Sequence, residues 1–235
     1  MKSSILFAVA VLTIASAVSA VHAQGTWEGP TGVFLNPLAI DLAEGKTSVS
    51  GHYLNLQPVG SLTTFGVTYG AAKNLEVGLT RADLNAGGQN EFNIFHAKYI
   101  AVPFKGEKPA VAIGTIVRDA TSGPTTSDFY VAATKIFPAK KPIIASVTAR
   151  YTNGIGSGLF GKNTSHSLQF GGFLGVQATP KLIAGVEYYG QPEVDDWKDL
   201  AVRYVADENT FIDAGIARIN DGLDNQFAVA LTHQF

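Results

Sequence analysis

Past residue 23 the chain holds four histidines, His52, His96, His166 and His233, one Asp-Asp pair at Asp195 and Asp196, and no cysteine. Each could serve chemistry only in the right company. His166 is followed directly by Ser167, but neighbours on a strand point to opposite faces, so that pair cannot act as base and nucleophile. Asp195-Asp196 beside Trp197 would be an acidic dyad if both carboxylates faced one substrate; in a turn the same dipeptide is ordinary solvated turn chemistry, which is the reading adopted. No His-x-x-x-His, His-Glu-x-x-His or cysteine cluster offers a metal its ligands. A Gly-x-Ser-x-Gly elbow is absent, and Gly161-Lys162-Asn163-Thr164 lacks the glycine spacing of a phosphate loop. The sequence therefore points away from an enzyme and calls for no cofactor and no metal. Asn163-Thr164-Ser165 matches a glycosylation sequon, read here as chance.

The elements around these residues are strands. Met1-Lys2-Ser3-Ser4, the apolar stretch from Ile5 to Val18 and the small-x-small site Val21-His22-Ala23 form a secretory leader with cleavage expected after Ala23. Removal of 1–23 leaves 212 of the 235 residues and moves the formal charge from −2 to −3, which excludes a strongly basic nucleic-acid binder. An exported chain without cysteine has no disulfide framework, so packing or closure of a sheet must hold it. Mean hydropathy is +0.15 and 46% of residues are apolar. Yet no stretch after residue 23 approaches the ~18 consecutive apolar residues of a membrane helix. The apolar side chains instead recur at alternate positions.

About twelve alternating runs are expected, over 46–57, 61–70, 75–83, 91–102, 109–119, 128–137, 142–152, 166–178, 181–190, 198–206, 210–219 and 225–235. Ala145, Val147, Ala149 and Tyr151 alternate with Ser146, Thr148, Arg150 and Thr152, giving one apolar face and one polar face. A soluble sandwich shares that period. Connection lengths separate the two: Ala71–Asn74, Pro103–Glu107, Pro138–Lys141, Thr179–Pro180 and Asp207–Asn209 are brief. Leu84–Asn90, Ala120–Ser127, Asn153–Ser165, Gln191–Trp197 and Asn220–Leu223 are longer and richer in Gly and polar residues. That parity belongs to an even-stranded barrel with short periplasmic turns and longer outer loops. Tyr53, Tyr69, Phe92, Tyr99, Phe129, Phe137, Tyr151, Tyr188, Tyr204 and Phe235 fall near strand ends, as interfacial girdles do. The last run sets Phe227, Val229, Leu231 and Phe235 on one face and ends on an aromatic carboxyl terminus, the terminal signal that the barrel-assembly machinery would read.

The fold class expected is all-β, a closed antiparallel transmembrane up-and-down barrel over residues 46–235. Its setting is the bacterial outer membrane, with lipid as its partner and a monomer as the favoured state. The polar face then lines a lumen. Glu76 and Lys98 are equidistant from the middle of the 84–90 loop, and Arg203 and Asp213 from the 207–209 turn, so an undisturbed register pairs each couple, with Glu187 on the preceding strand. These form a ladder of opposite charges that either stabilises a wet interior or selects permeating solutes, and Arg150 is a further charge lining the lumen. Gly66, Gly78, Ser146, Thr148, Gly171 and Gly185 are expected to leave room there.

Residues 24–45 do not alternate. They are either a periplasmic lead-in packed under the barrel, the reading preferred, or a small plug with Trp27, Phe34 and Leu35 in the lumen. Burying those three would be worth roughly 5–8 kcal/mol before entropy. Thr31-Gly32 with Pro37 and then Gly45, together with the hairpin of Phe65–Gly70 and Asn74–Leu79 and the terminal Phe235, resembles the opening of YjbH-like outer-membrane proteins. The resemblance covers about residues 25–82. It implies an outer-membrane barrel associated with exopolysaccharide secretion and carries over no functional residue. The functional expectation is a narrow passive channel for small hydrophilic solutes or an envelope polysaccharide component; the alternative is a closed structural or adhesive barrel acting through its outer loops, and third a barrel hydrolase.

Overall fold

The structure, a computed structural model, describes residues 25–56, 60–85, 89–105, 108–154, 162–190, 196–219 and 226–235. The leader, Asp195, most of the 153–165 loop and all of the 220–223 loop lie outside them. Twelve strands follow in chain order: β1 Thr47–Asn55, β2 Ser61–Ala72, β3 Leu75–Asn85, β4 Gln89–Val102, β5 Ala110–Ala120 and β6 Thr126–Phe137, then β7 Ile143–Gly154, β8 Lys162–Thr179, β9 Leu182–Tyr189, β10 Trp197–Val205, β11 Thr210–Ile219 and β12 Gln226–Gln234. Each pairs antiparallel with its sequence neighbour, and β1 pairs with β12 to close the barrel. Closure removes the sheet edges, which answers how a chain without disulfides protects its backbone. Both chain ends of the barrel meet where Phe235 N donates to Thr47 O at 2.8 Å; this is the terminal end, and the opposite rim is the loop end.

The alternation of the sequence appears directly as burial. Along β2 every second residue from Leu62 to Gly70 is buried while Thr63, Phe65, Val67 and Tyr69 are exposed. The exposed set is apolar around the whole wall: Phe65, Leu79, Phe95, Phe129, Val147, Phe170, Leu174, Leu200 and Ile216 are each about half exposed or more, and so are Leu231 and Phe235 at the end of the chain. Phe227 and Val229 share that face. A continuous greasy belt outside and charge inside is the reverse of a water-soluble protein, and hydrocarbon is the solvent it fits. Accordingly Val147→Arg, in the middle of β7, is expected to cost about 2–4 kcal/mol in urea unfolding from lipid vesicles. A cost near zero would mean that water bathes this face.

Three details depart from the sequence expectations. β8 begins at Lys162, after a bulge at Thr152/Gly154, so it reaches further into the loop than the alternating run from 166 suggests. The terminal-end connection 103–109 is as long as the loop-end connections 155–161 and 190–196, so length separates the two rims less cleanly than expected. Phe92 is no girdle residue: it is 3% exposed and points inward. Its neighbours in the interior are Leu54, Leu62, Leu84 and Ile94, an apolar patch that a water-filled lumen would not carry.

Candidate functional site

The interior is occupied by the chain itself. Residues 25–42 hydrogen-bond inward side chains or backbone of every strand from β1 to β10, so the segment lies inside the wall rather than beneath it. Locally it is a pair of tight turns. Thr26 N donates to Pro30 O at 2.7 Å and Gly29 N to Thr26 O at 2.9 Å; Val33 N donates to Asn36 O at 3.1 Å and Leu38 N to Thr31 O at 3.1 Å. Pro30 and Pro37, which cannot donate, punctuate the two turns. Gly29 sits at φ +113°, and any side chain there would strike the His96 ring and Thr80 Oγ1, so both backbone and contact require glycine.

Each turn is held by charged groups of the wall. Glu76 accepts from Thr31 N at 2.8 Å, Thr31 Oγ1 at 2.8 Å and Leu42 N at 3.0 Å. Lys98 Nζ lies 3.1 Å from Glu76 Oε1 and donates to the carbonyls of Thr31 at 2.8 Å, Leu38 at 3.1 Å and Ile40. The ammonium thus sits in a cage of backbone oxygens that closes the second turn around it.

Glu28 enters a four-member ion cluster. It accepts from Arg118 Nε at 2.7 Å and from Arg150 Nη1 at 2.8 Å. Asp128 faces the same two guanidiniums, from Arg118 Nη1 at 3.0 Å and Nη2 at 2.6 Å and from Arg150 Nη1 at 3.1 Å. All four side chains are at most 1% exposed, and their formal charges cancel. Arg150 also donates to Leu35 O at 3.2 Å and stacks over Tyr189, 4.8 Å from the ring centre.

Glu187 holds the tip: its Oε1 accepts from Leu35 N at 2.8 Å, Asn36 N at 2.6 Å and Asn36 Nδ2 at 2.8 Å. Arg203 binds Asp213 through Nε at 3.0 Å and Nη2 at 2.9 Å and donates to Gly32 O at 2.9 Å. His52 Nε2 meets Gly25 O at 3.0 Å, Thr68 Oγ1 donates to Gly29 O at 3.1 Å, and Ala39 N donates to Thr134 Oγ1 at 2.8 Å. Apolar contacts complete the fit. Trp27, Phe34 and Leu35, each at most 4% exposed, pack with the inward patch around Phe92, while Val33, Leu38 and Ile40 pack on Ile136, Ile144, Phe173 and Ile183.

The hairpin pairs Glu76/Lys98 and Arg203/Asp213 face each other in the register as the sequence spacing has them. Glu187 does not join the second pair: it stands opposite Asp199, and Arg203 stands opposite Ile183. Arg150 faces inward and pairs with Glu28 and Asp128. The room expected over the small inward glycines is taken, since a side chain on Gly171 would collide with Asn36, one on Gly66 with Thr80, one on Gly78 with the His96 ring and one on Gly185 with the Phe173 ring. Gly171→Leu is therefore expected to push Asn36 off Glu187 and to cost about 1.5–3 kcal/mol in urea unfolding from lipid vesicles, the weight of one charge-assisted hydrogen bond; unchanged stability would show that this contact holds nothing.

Sequence reasoning missed Glu28, Asn36, Arg118, Asp128 and Asp199. Arg118 stands opposite Thr126, diagonal to Asp128, a relation that hairpin arithmetic does not return. Among the groups weighed for catalysis, His166 is an exposed residue stacked on Tyr151, with ring centres 4.8 Å apart, and Asp196 accepts from Tyr188 OH at 2.9 Å. Among the described residues no three His, Cys, Asp or Glu side chains gather as metal ligands.

Wall and interior together define a transmembrane β-barrel. The chain belongs to the DUF3034 family, described as protein of unknown function, whose model matches residues 26–223, the inner segment included. Its fold is similar to that of the KdgM porin, with a TM-score of 0.63 at 11% identity over 80% of this chain and 99% of that one. KdgM porin in complex with disordered oligogalacturonate gives 0.59 at 9% identity, covering 81% and 99%. The NanC porin gives 0.58 at 12% identity, covering 80% and 98%. No curated protein matches the sequence.

Proposed function

We propose that the protein is a passive outer-membrane channel for small hydrophilic solutes, closed in this state by residues 25–43, which act as a plug. The terminal end faces the periplasm and the loop end the exterior. The carrying observation is the chemistry of the wall beneath the plug. A lumen meant to stay filled is most cheaply packed with apolar side chains, because buried ion pairs seldom repay their desolvation. Here the wall keeps Lys98, Arg118, Arg150 and Arg203 with Glu76, Asp128, Glu187, Asp199 and Asp213, all buried. Their partners on the plug are mostly exchangeable backbone groups. Water can replace those groups when the plug withdraws, which leaves a charged polar path through which solutes diffuse without a covalent step or a cofactor. The porin-like fold of the KdgM and NanC structures supports this reading.

The exposed row Phe227, Val229, Leu231 and Phe235 is the surface that barrel-assembly machinery would recognise, and the unbroken belt fits a monomer in lipid. A part in envelope polysaccharide handling stays within the proposal, because Thr31, Gly32 and Pro37, which carry the YjbH-like resemblance, belong to the turns that Glu76, Lys98 and Arg203 grip. The filled interior favours a second reading, a permanently closed barrel that acts through its outer loops. Liposome swelling separates the two. Vesicles carrying the intact protein should swell slowly in small sugars and faster once 25–43 is deleted. Osmotic silence of a correctly folded deletion variant would leave only the closed barrel.

A further inference from the structure

The two rims of the barrel carry opposite charge. Four consecutive terminal-end turns each present lysine: Lys73 between β2 and β3, Lys105 and Lys108 between β4 and β5, Lys140 and Lys141 between β6 and β7, and Lys181 between β8 and β9, all exposed. Lys46, just before β1, extends the arc. Acids at this end are fewer. Asp207 and Glu208 are confined to the β10–β11 turn, where Asn209 N and Thr210 hold the Asp207 carboxyl below its usual range; Glu44 and half-buried Asp41 precede β1, the carboxylate of Phe235 stands beside Thr47, and Glu107 lies in the 103–109 connection. The loop end is the reverse, with Asp83, Glu91, Asp119 and Asp196 on described residues and Glu193, Asp195, Asp221 and Asp224 in its loops, against few cations. Of those cations Arg81 is already bound to Glu91.

Depth identifies what the lysines meet. Immediately below them on the lipid-facing wall stand Tyr69, Tyr99 and Phe137, exposed by 46%, 46% and 42%, and Lys135 Nζ lies 4.8 Å from the Phe137 ring. Aromatic side chains of this kind mark the hydrocarbon–headgroup boundary. Lysines one short turn beyond it stand among headgroups, where flexible stems let the ammonium groups reach phosphate. We propose that this arc is a docking surface for anionic phospholipid headgroups of the leaflet at the terminal end, gathering a shell of acidic lipid around β2–β9.

Native mass spectrometry of the full chain released from nanodiscs of equal phosphatidylglycerol and phosphatidylcholine tests it. Retained phosphatidylglycerol should exceed phosphatidylcholine by about fivefold, falling as salt shortens the reach of the charges. Changing Lys73, Lys105, Lys108, Lys140, Lys141 and Lys181 together to Gln should abolish the preference, with heat-modifiable migration confirming the barrel. Lys198→Gln at the opposite rim should preserve it. Equal retention of both lipids by the wild type, or an undiminished preference in the six-fold variant, overturns the proposal. So does tighter retention of polyglutamate than of phosphatidylglycerol, which would assign the arc to an acidic polypeptide. The readout does not depend on whether the barrel conducts.

Discussion

Glu28→Ala should cost about 3–5 kcal/mol in urea unfolding from vesicles, the penalty for stripping one partner from a buried ion cluster. The magnitude follows from what remains. Asp128 alone then faces two guanidiniums that are at most 1% exposed, and Arg118 Nε, which Glu28 accepts at 2.7 Å, has lost its acceptor. Water entering along the plug would relieve the excess charge, and entry of water is itself an opening event. The same variant should therefore show longer open times in planar bilayers. Glu28→Gln, which keeps one acceptor oxygen and the volume, should lie between the two. An Ala variant as stable and as closed as the wild type would mean that Arg118 and Arg150 are fully served by Asp128 and that the plug is held elsewhere.

Deletion of residues 25–43 should have the largest functional effect, turning rare brief steps into a permanently conducting state with mean current raised roughly tenfold or more, as for a twelve-stranded lumen relieved of its plug. The remaining wall would carry four cations and five carboxylates, which favours modest cation selectivity. The inward patch of Leu54, Leu62, Leu84, Phe92 and Ile94, which Trp27 covers in the closed barrel, would then border water. It should lower the stability of the deletion variant without preventing closure of the barrel, because β1–β12 pairing does not involve the plug.

How far the sequence was legible follows from which interactions obey simple periodicity. The strands did, because a wall between lipid and a polar interior forces a period of two on each strand away from its bulges. The couples Glu76/Lys98 and Arg203/Asp213 did as well, since both lie on hairpins with undisturbed register. Glu187 opposite Asp199 was within reach of the same arithmetic across the 190–196 loop, yet two carboxylates facing each other are not what a ladder of opposite charges suggests. Arg118 and Asp128 meet on a diagonal, and Glu28 meets them from another part of the chain, 90 residues away from Arg118. No pattern in the segment 25–43 announces its partners, because each turn is specified by the wall that surrounds it. Phe92 was legible as well: it shares the parity of inward-facing Lys98 on β4, so the period of two already turns it into the interior, against its reading as a girdle residue.

The central claim is that Asn36 lies inside the wall against Gly171 and that this seating closes the barrel. The chain has no cysteine, so a pair introduced as Asn36→Cys and Gly171→Cys reports on nothing else. A Cβ built on Gly171 would overlap the Asn36 side chain, a separation within the short reach of a disulfide. Oxidised protein should lose both free thiols and remain closed in planar bilayers, and reduction should restore opening. Two free thiols in a folded barrel under oxidising conditions, or full conductance with the disulfide formed, would contradict the account.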